Sequence, residues 1–363
     1  MPKTIGNIEL YMGPKEVGGE DDLLGTIIDF IDGAQKRLFI AVQELDSRPI
    51  AEAIIRARQR KVLVKLVLEA SYLLAKSARD DPFTPGGSHE PNRILHDAIL
   101  RTKIKVNTDF NSSIFHQKFM VRDSESILTG STNFTDTGVT KNLNHIVIIH
   151  DKEIARIYNR EYREIQQGHF GKLNEGHDPR PAEVMVSGVR VKVLFAPDHN
   201  PEMEIMKQIA KAKDRVDFAI FTFSKSSGID DQLILAKKAG IDVRGALFKS
   251  QANQKWSATK VLKEADVDLF LVPKPGLPSP KPGKLHHKLM VIDEQLIVAG
   301  SFNYTGPANL LNDENIVILG DLDLDPTNPA DAESIALQKE LARYTLDEID
   351  RIIAEFGEVV VTD

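Results

Sequence analysis

The chain has 363 residues and no cysteine, with 42% apolar and 27% charged residues. That length is enough for two or three domains with cores of their own, and the composition excludes a disordered chain. Without cysteine there are no disulfides, thiolate metal clusters or cysteine nucleophile. Residues 1–7 lack the apolar core of a signal peptide, and no apolar run approaches the ~18 residues of a membrane span, so the expected setting is reducing and cytoplasmic. The net charge of −7 argues at face value against a polyanionic partner. Its distribution weakens that argument. Residues 321–363 carry 12 Asp/Glu against 3 Lys/Arg, whereas residues 244–288 carry 9 Lys/Arg against 3 Asp/Glu. An acidic tail masks a basic segment.

In chain order, a short strand over Ile8–Pro14 is followed by a helical pattern over 22–36. A buried strand at Arg37–Val42, a helix over 49–60 and a strand over 62–68 come next. A polar, turn-rich loop spans 76–93, and a helix over 152–167 closes this half. The order then repeats. A strand over Val191–Pro197 and a helix over 201–213 precede a strand over Val216–Phe221, a helix over 229–239 and a strand over 241–248. Alternating strands and helices predict layered α/β lobes, and a period this long predicts duplication of a whole domain. The expected organisation is a first lobe over 1–168, a linker over 169–188, a second lobe over 189–320, and an acidic loop and closing helix over 321–363. A loop over 273–284 holds five prolines together with Lys274, Lys281 and Lys284.

The most specific signal is a doubled constellation. His116-Gln117-Lys118 reaches Asp123 and then, after six residues, Gly130-Ser131-Thr132-Asn133. His286-His287-Lys288 reaches Asp293 and, at the same spacing, Gly300-Ser301-Phe302-Asn303. Eleven residues past each Asn stands one more polar residue entering an apolar strand, Asn144 in the first half and Glu314 in the second. In a strand, residues i and i+2 share a face, so each His and Lys point one way and the residue between them points the other. A Gly-Ser-x-Asn turn brings a hydroxyl and an amide beside that face. Lysine and asparagine suit phosphate oxygens, a neutral imidazole is a competent nucleophile, and two half-sites supply one histidine to attack and one to protonate the leaving group.

This pattern resembles the phospholipase D (HKD) superfamily over about residues 5–320. The resemblance implies an α/β fold of two pseudo-twofold-related lobes, each a mixed β-sheet flanked by helices, with one active site at their interface. It implies metal-independent, cofactor-free phosphodiester cleavage or transfer through a phosphohistidine. His116 and His286 are then the catalytic pair. Lys118, Lys288, Asn133 and Asn303 hold the phosphate, Ser131 and Ser301 support them, and Asp123 and Asp293 are structural. A carboxylate favours a protonated imidazole and an amide does not. Pairing within each lobe therefore predicts His286, beside Glu314, as general acid and His116, beside Asn144, as neutral nucleophile. Relatives of tyrosyl-DNA phosphodiesterase show a similar amide-first, carboxylate-second arrangement.

The motif sets the chemistry and not the substrate. The segment around Ser301–Asn315 looks most like the small endonuclease branch, and the basic segment suits a phosphate backbone. Nucleic acid, DNA or RNA, is the expected partner, with Lys249, Lys255, Lys281 and Lys284 as substrate-binding residues. A phospholipid enzyme and a non-catalytic scaffold are the alternatives. Trp256 reads as a core or capping residue as readily as a stacking surface, and Phe134 and Tyr304 as packing residues. No histidine has ligand-like spacing, so no metal is assigned. With both half-sites in one chain, catalysis does not require a dimer.

Overall fold

A computed structural model describes residues 2–74, 86–174 and 180–360. Most of the loop expected over 76–93 and part of the linker expected over 169–188 thus lie outside the described residues. The first half supplies β1 (Lys3–Ile5), β2 (Ile8–Gly13), β3 (Arg37–Val42), β4 (Leu63–Leu68), β5 (Lys105–Thr108), β6 (Lys118–Arg122), β7 (Ser126–Gly130) and β8 (Asn144–Ile149). They form one sheet in the order β1-β2-β8-β7-β6-β3-β4-β5. The second half supplies β9 (Glu183–Val186), β10 (Val189–Ala196), β11 (Arg215–Ile220), β12 (Asp242–Phe248), β13 (Asp268–Val272), β14 (Lys288–Ile292), β15 (Leu296–Gly300), β16 (Glu314–Leu319) and β17 (Glu358–Val359). Its sheet runs β17-β13-β12-β11-β14-β15-β16-β10-β9. The central order β2-β8-β7-β6-β3-β4-β5 recurs as β10-β16-β15-β14-β11-β12-β13, which is the duplication expected from the sequence. Both sheets are mixed: β3 pairs parallel with β4 and antiparallel with β6, and β11 does the same with β12 and β14.

Strand alternation places the core. Ile146 and Ile148 of β8 pack among the outer helices of their lobe, while Val147 and Ile149 face a central layer. On β16, Ile316 and Ile318 face outward and Val317 and Leu319 face the same central layer. Both faces of each sheet are therefore covered, which explains the nearly continuous apolar runs. Two long helices fill the central layer. One is Lys152–Gln167, capped by the Asp151 carboxylate on the N–H groups of Glu153 and Ile154 and ended by Gly168 at φ 94°. The other is Pro329–Phe356, capped by Asn328 with proline in its first turn. The second helix also reaches the first lobe, where Tyr344 Oη donates to Asp21 and Arg351 donates to the Val17 carbonyl at 3.2 Å.

Two glycines allow each half to close on its motif. Gly130 and Gly300 have φ of 145° and 152°, and a Cβ on either would stand 2.3 Å from the carbonyl oxygen of His145 or Asn315. Asp123 accepts from the backbone N–H groups of Gln35, Lys36 and Arg37 at 2.9, 2.7 and 2.9 Å. Asp293 does the same for Lys213, Asp214 and Arg215 at 2.8, 2.9 and 3.0 Å. The motif's acids are turn-builders.

Candidate active site at the lobe interface

The two half-sites meet where backbone from one lobe pairs with the other. Phe115 bridges Asp313, and Leu143 bridges Leu285. His116 N donates to the Asp313 carbonyl at 3.0 Å, and His286 N donates to the Leu143 carbonyl at 2.9 Å. Each motif histidine thus sits beside the strand start of the opposite lobe.

That geometry overturns the expected pairing. His116 Nδ1 lies 2.7 Å from Glu314 Oε2, and His286 Nδ1 lies 2.9 Å from Asn144 Oδ1. The partners are exchanged between lobes because the inter-lobe bridges outrank proximity in sequence. Asn144 Nδ2 donates to the carbonyls of Gly138 and Asn142, which leaves Oδ1 as acceptor and places a proton on His286 Nδ1. Ser131 Oγ donates to Asn144 Oδ1 at 2.8 Å, and Ser301 Oγ donates to Glu314 Oε2 at 2.6 Å. The serines therefore act on the histidine partners, one step away from any bound phosphate.

Both histidines line a cavity of about 400 Å³ together with Asn133, Asn303, Lys284, Gln43, Glu44, Tyr72 and Phe221. Since Nδ1 is occupied on each ring, Nε2 is the nitrogen available to a ligand. Asn133 Oδ1 and Asn303 Oδ1 are buried without hydrogen-bond partners, so either amide turns to present Nδ2 without breaking a bond. Lys118 and Lys288 lie beneath this lining, 1% and 2% exposed, and donate to the carbonyls of their own histidines at 2.7 and 2.8 Å.

Burial and positive charge control the electrostatics. Burial, then the Lys118 and Lys288 ammoniums, hold His116 well below the usual imidazole range, and the same lysines with burial hold His286 there. Burial brings Lys118 down to about 7 against the pull of Glu314, Glu44 and Glu69. It pushes the Glu314 carboxyl up to about 8, opposed by Lys118, Ser301, Lys288 and Asn312. Two ammoniums and two imidazoles crowded together destabilise their own charges until an anion arrives.

The expected substrate lysines separate. Lys284 lines the cavity, its Nζ 5.8 Å from the Phe221 ring centre. Lys249 is bound instead to Glu358 at 2.5 Å, Lys281 is exposed outside the cavity lining, and Lys255 lines a different cavity. The charge count grouped them, but only one reaches the histidines. Phe134 and Tyr304 are buried packing residues, whereas Trp256 is 42% exposed and is neither core nor cap. Gln43 and Phe221, which follow β3 and β11, were not foreseen. Gln43 ends an apolar strand with a polar side chain, a signal that could have marked it; Phe221 carries no such mark. Glu161, Glu164 and Asp198 bring carboxylate oxygens within 4.8 Å of one another, but none of the three lines the cavity.

A family profile described as "Cardiolipin synthase, PLD-like domain" matches residues 27–166 and 205–325. The chain belongs to the phospholipase D superfamily. A phospholipase D of Rickettsia conorii is 31% identical over 139 residues, covering 38% of this chain and 66% of that protein. A mitochondrial cardiolipin hydrolase of Xenopus laevis is 27% identical over 159 residues, covering 44% of this chain and 64% of that protein. The chain thus spans a little under two thirds of the length of these curated relatives. The crystal structure of phosphatidylserine synthase from Haemophilus influenzae superposes with a TM-score of 0.68 at 14% identity, covering 99% of this chain and 89% of that one. Such a likeness speaks to the fold alone, and it extends the two-lobed phospholipase D architecture over the whole chain.

Proposed function

We propose that this phospholipase D superfamily phosphodiesterase cleaves nucleic acid through a phosphohistidine intermediate, with His116 as nucleophile and His286 as general acid. The observation that carries the chemistry is the pair of imidazoles lining one cavity, each held at Nδ1 and open at Nε2. His116 Nε2 attacks phosphorus, the P–O bond to the leaving group breaks, and His286 Nε2–H protonates the departing oxygen. Water, deprotonated by His286, then attacks phosphorus and releases His116. The roles match the sequence expectation, but the reason is reversed. A carboxylate at Nδ1 offsets the positive charge that grows on a ring forming an N–P bond, so the Glu314-paired histidine suits the nucleophile. An amide offers no counter-charge, so the Asn144-paired imidazolium yields its proton more readily.

Lys118 and Lys288 act on the phosphate from beneath, and Asn133 and Asn303 donate to its oxygens. An anion in the cavity raises the proton affinity of His286 and of both lysines, so the substrate itself charges the acid. Lys284 at the cavity, with the lysines that line a second cavity, supports a strand of phosphates as substrate. A second reading, phospholipid cleavage, is favoured by the side chain of Ile114, which lines the cavity and is 46% exposed, and by the activities named for the relatives.

Incubating the protein in chelator with single- and double-stranded DNA, RNA and phosphatidylcholine or cardiolipin vesicles tests the substrate. Cleavage of a nucleic acid that disappears in Lys288→Ala supports the first reading, and turnover of vesicles alone overturns it. For the roles, His286→Ala is expected to accumulate an acid-labile protein-bound phosphoryl adduct. Accumulation in His116→Ala instead reverses them.

A further inference from the structure

A short segment leads from the reaction cavity to a second one. Phe221 and Thr222 line the first, and three residues further on Lys225 lines a cavity of about 580 Å³. The path is tied down at several points. Ser224 bridges Ser257, Lys225 N donates to the Trp256 carbonyl at 3.1 Å, and Gly306 N donates to Ser226 Oγ at 3.1 Å. Gly306 lies between Thr305 and Pro307, which line the reaction cavity. Three residues of chain extend at most ~11 Å, about three base steps of a nucleic-acid strand.

The second cavity is lined by Lys225, Lys255, Lys260 and Lys263, with Glu264 as the one acid among the described lining residues. That acid faces Lys260 at 3.7 Å in an exposed i,i+4 pair, which neutralises little. Trp256, the only tryptophan in the chain, stands between the lining residues Lys255 and Ser257 and is 42% exposed. Trp256 is not itself a lining residue, but a large aromatic left in solvent next to the lysine-lined cavity, with its backbone fixed by Lys225, supplies beside those cations the second part of a single-strand platform, a face for a base.

We propose that this lysine-lined cavity is a second nucleic-acid-binding site, which holds the phosphate backbone a few nucleotides from the scissile bond while Trp256 stacks on an unpaired base. The proposal rests on the nucleic-acid reading above. Its consequence is length dependence: strands that span both cavities bind better than those that fill only the first.

The lone tryptophan makes the site observable. A 20-nucleotide oligothymidylate is titrated into the full chain carrying His116→Ala, which blocks turnover, while tryptophan emission is followed at several salt concentrations. The expected result is quenching with salt-dependent affinity. Lys255→Glu with Lys263→Glu is expected to weaken it at least about tenfold and to flatten the log K against log salt slope by about 1.4, two phosphate contacts on a single strand. In the otherwise wild-type chain the same two substitutions are expected to raise KM for the oligonucleotide and to leave turnover of bis(p-nitrophenyl) phosphate unchanged, which also shows that the variant is folded. If the strand is cleaved but emission and affinity ignore the charge reversals, the second site is wrong and the nucleic-acid reading stands. If no nucleic acid is bound or cleaved, and phosphatidylglycerol vesicles shift the emission to the blue, both fall.

Discussion

In the first lobe the ammonium of Lys118 is held by the Gln43 amide oxygen at 3.1 Å; at the matching point of the second, Lys288 stands 5.1 Å from the centre of the Phe221 ring. The correspondence is set by the backbone, since Gln43 N donates to the Gln117 carbonyl and Phe221 N to the His287 carbonyl. Behind the histidines the contrast continues. Gln117 contacts Asn315 and Glu161 on one side, while His287 contacts His145 and Glu348 on the other. His145 Nε2 accepts from Gly300 N at 3.1 Å, so its proton lies on Nδ1 and is donated toward His287. The duplicated chain kept the frame that positions the reacting groups and let the partners diverge. One half received a carboxylate behind its imidazole and the other an amide, the difference on which the proposed division of roles between the two histidines rests.

The largest test of this asymmetry compares the two partners. Glu314→Gln is expected to lower kcat by about 10³–10⁴, the scale seen when a carboxylate behind a catalytic imidazole becomes an amide. Asn144→Asp makes the halves alike, and we expect a loss of about tenfold or less, because a more basic His286 releases its proton less readily. Steady-state kinetics on one substrate decide the order, and equal losses would break the asymmetry.

Next come the lysines. Lys118→Met is expected to abolish measurable turnover while raising the Tm by a few degrees, because a buried ammonium is replaced by an apolar side chain of similar length. The sign follows from the depressed proton affinity. With Lys118 near 7 in the fold and near 10.5 when unfolded, the unfolded chain holds more protons between those values. Stability in the parent therefore rises with pH across that window, and the variant lacks that rise. Calorimetry at pH 7 and pH 9 measures it.

The same group predicts a pH limb. In the free enzyme kcat/KM is expected to fall as pH climbs through about 7, where Lys118 loses its charge. Lys118→Arg, charged at every pH of interest, moves that limb upward even as kcat falls. A limb that stays in place assigns it to another group. The smallest effect is expected at the frame's divergent positions. Gln43→Leu and Phe221→Leu should each change KM a few-fold, with Gln43→Leu the larger because it leaves a buried ammonium short of an acceptor.

Much of this was legible in the sequence. Strand and helix order, both lobes and the paired His-Lys-Asn sets follow from apolar periodicity and from a motif written twice at identical spacing, whereas the structural role of the two aspartates is what the family resemblance implies. A period-2 or period-3.6 pattern is a local property, and the spacing from His116 to Asn144 is a property of the chain. What the tertiary structure alone decided is which partner meets which histidine. Glu314 stands 28 residues after His286 in sequence, yet it binds His116, because Phe115–Asp313 and Leu143–Leu285 join strands across the pseudo-twofold axis. The same holds for the basic segment. Its nine cations appear as one run in the sequence, but folding ties Lys249 to Glu358, places Lys284 at the reaction cavity and gathers Lys255, Lys260 and Lys263 around another. Charge counts add along a chain, whereas Coulomb interactions and hydrogen bonds depend on distances that only packing defines.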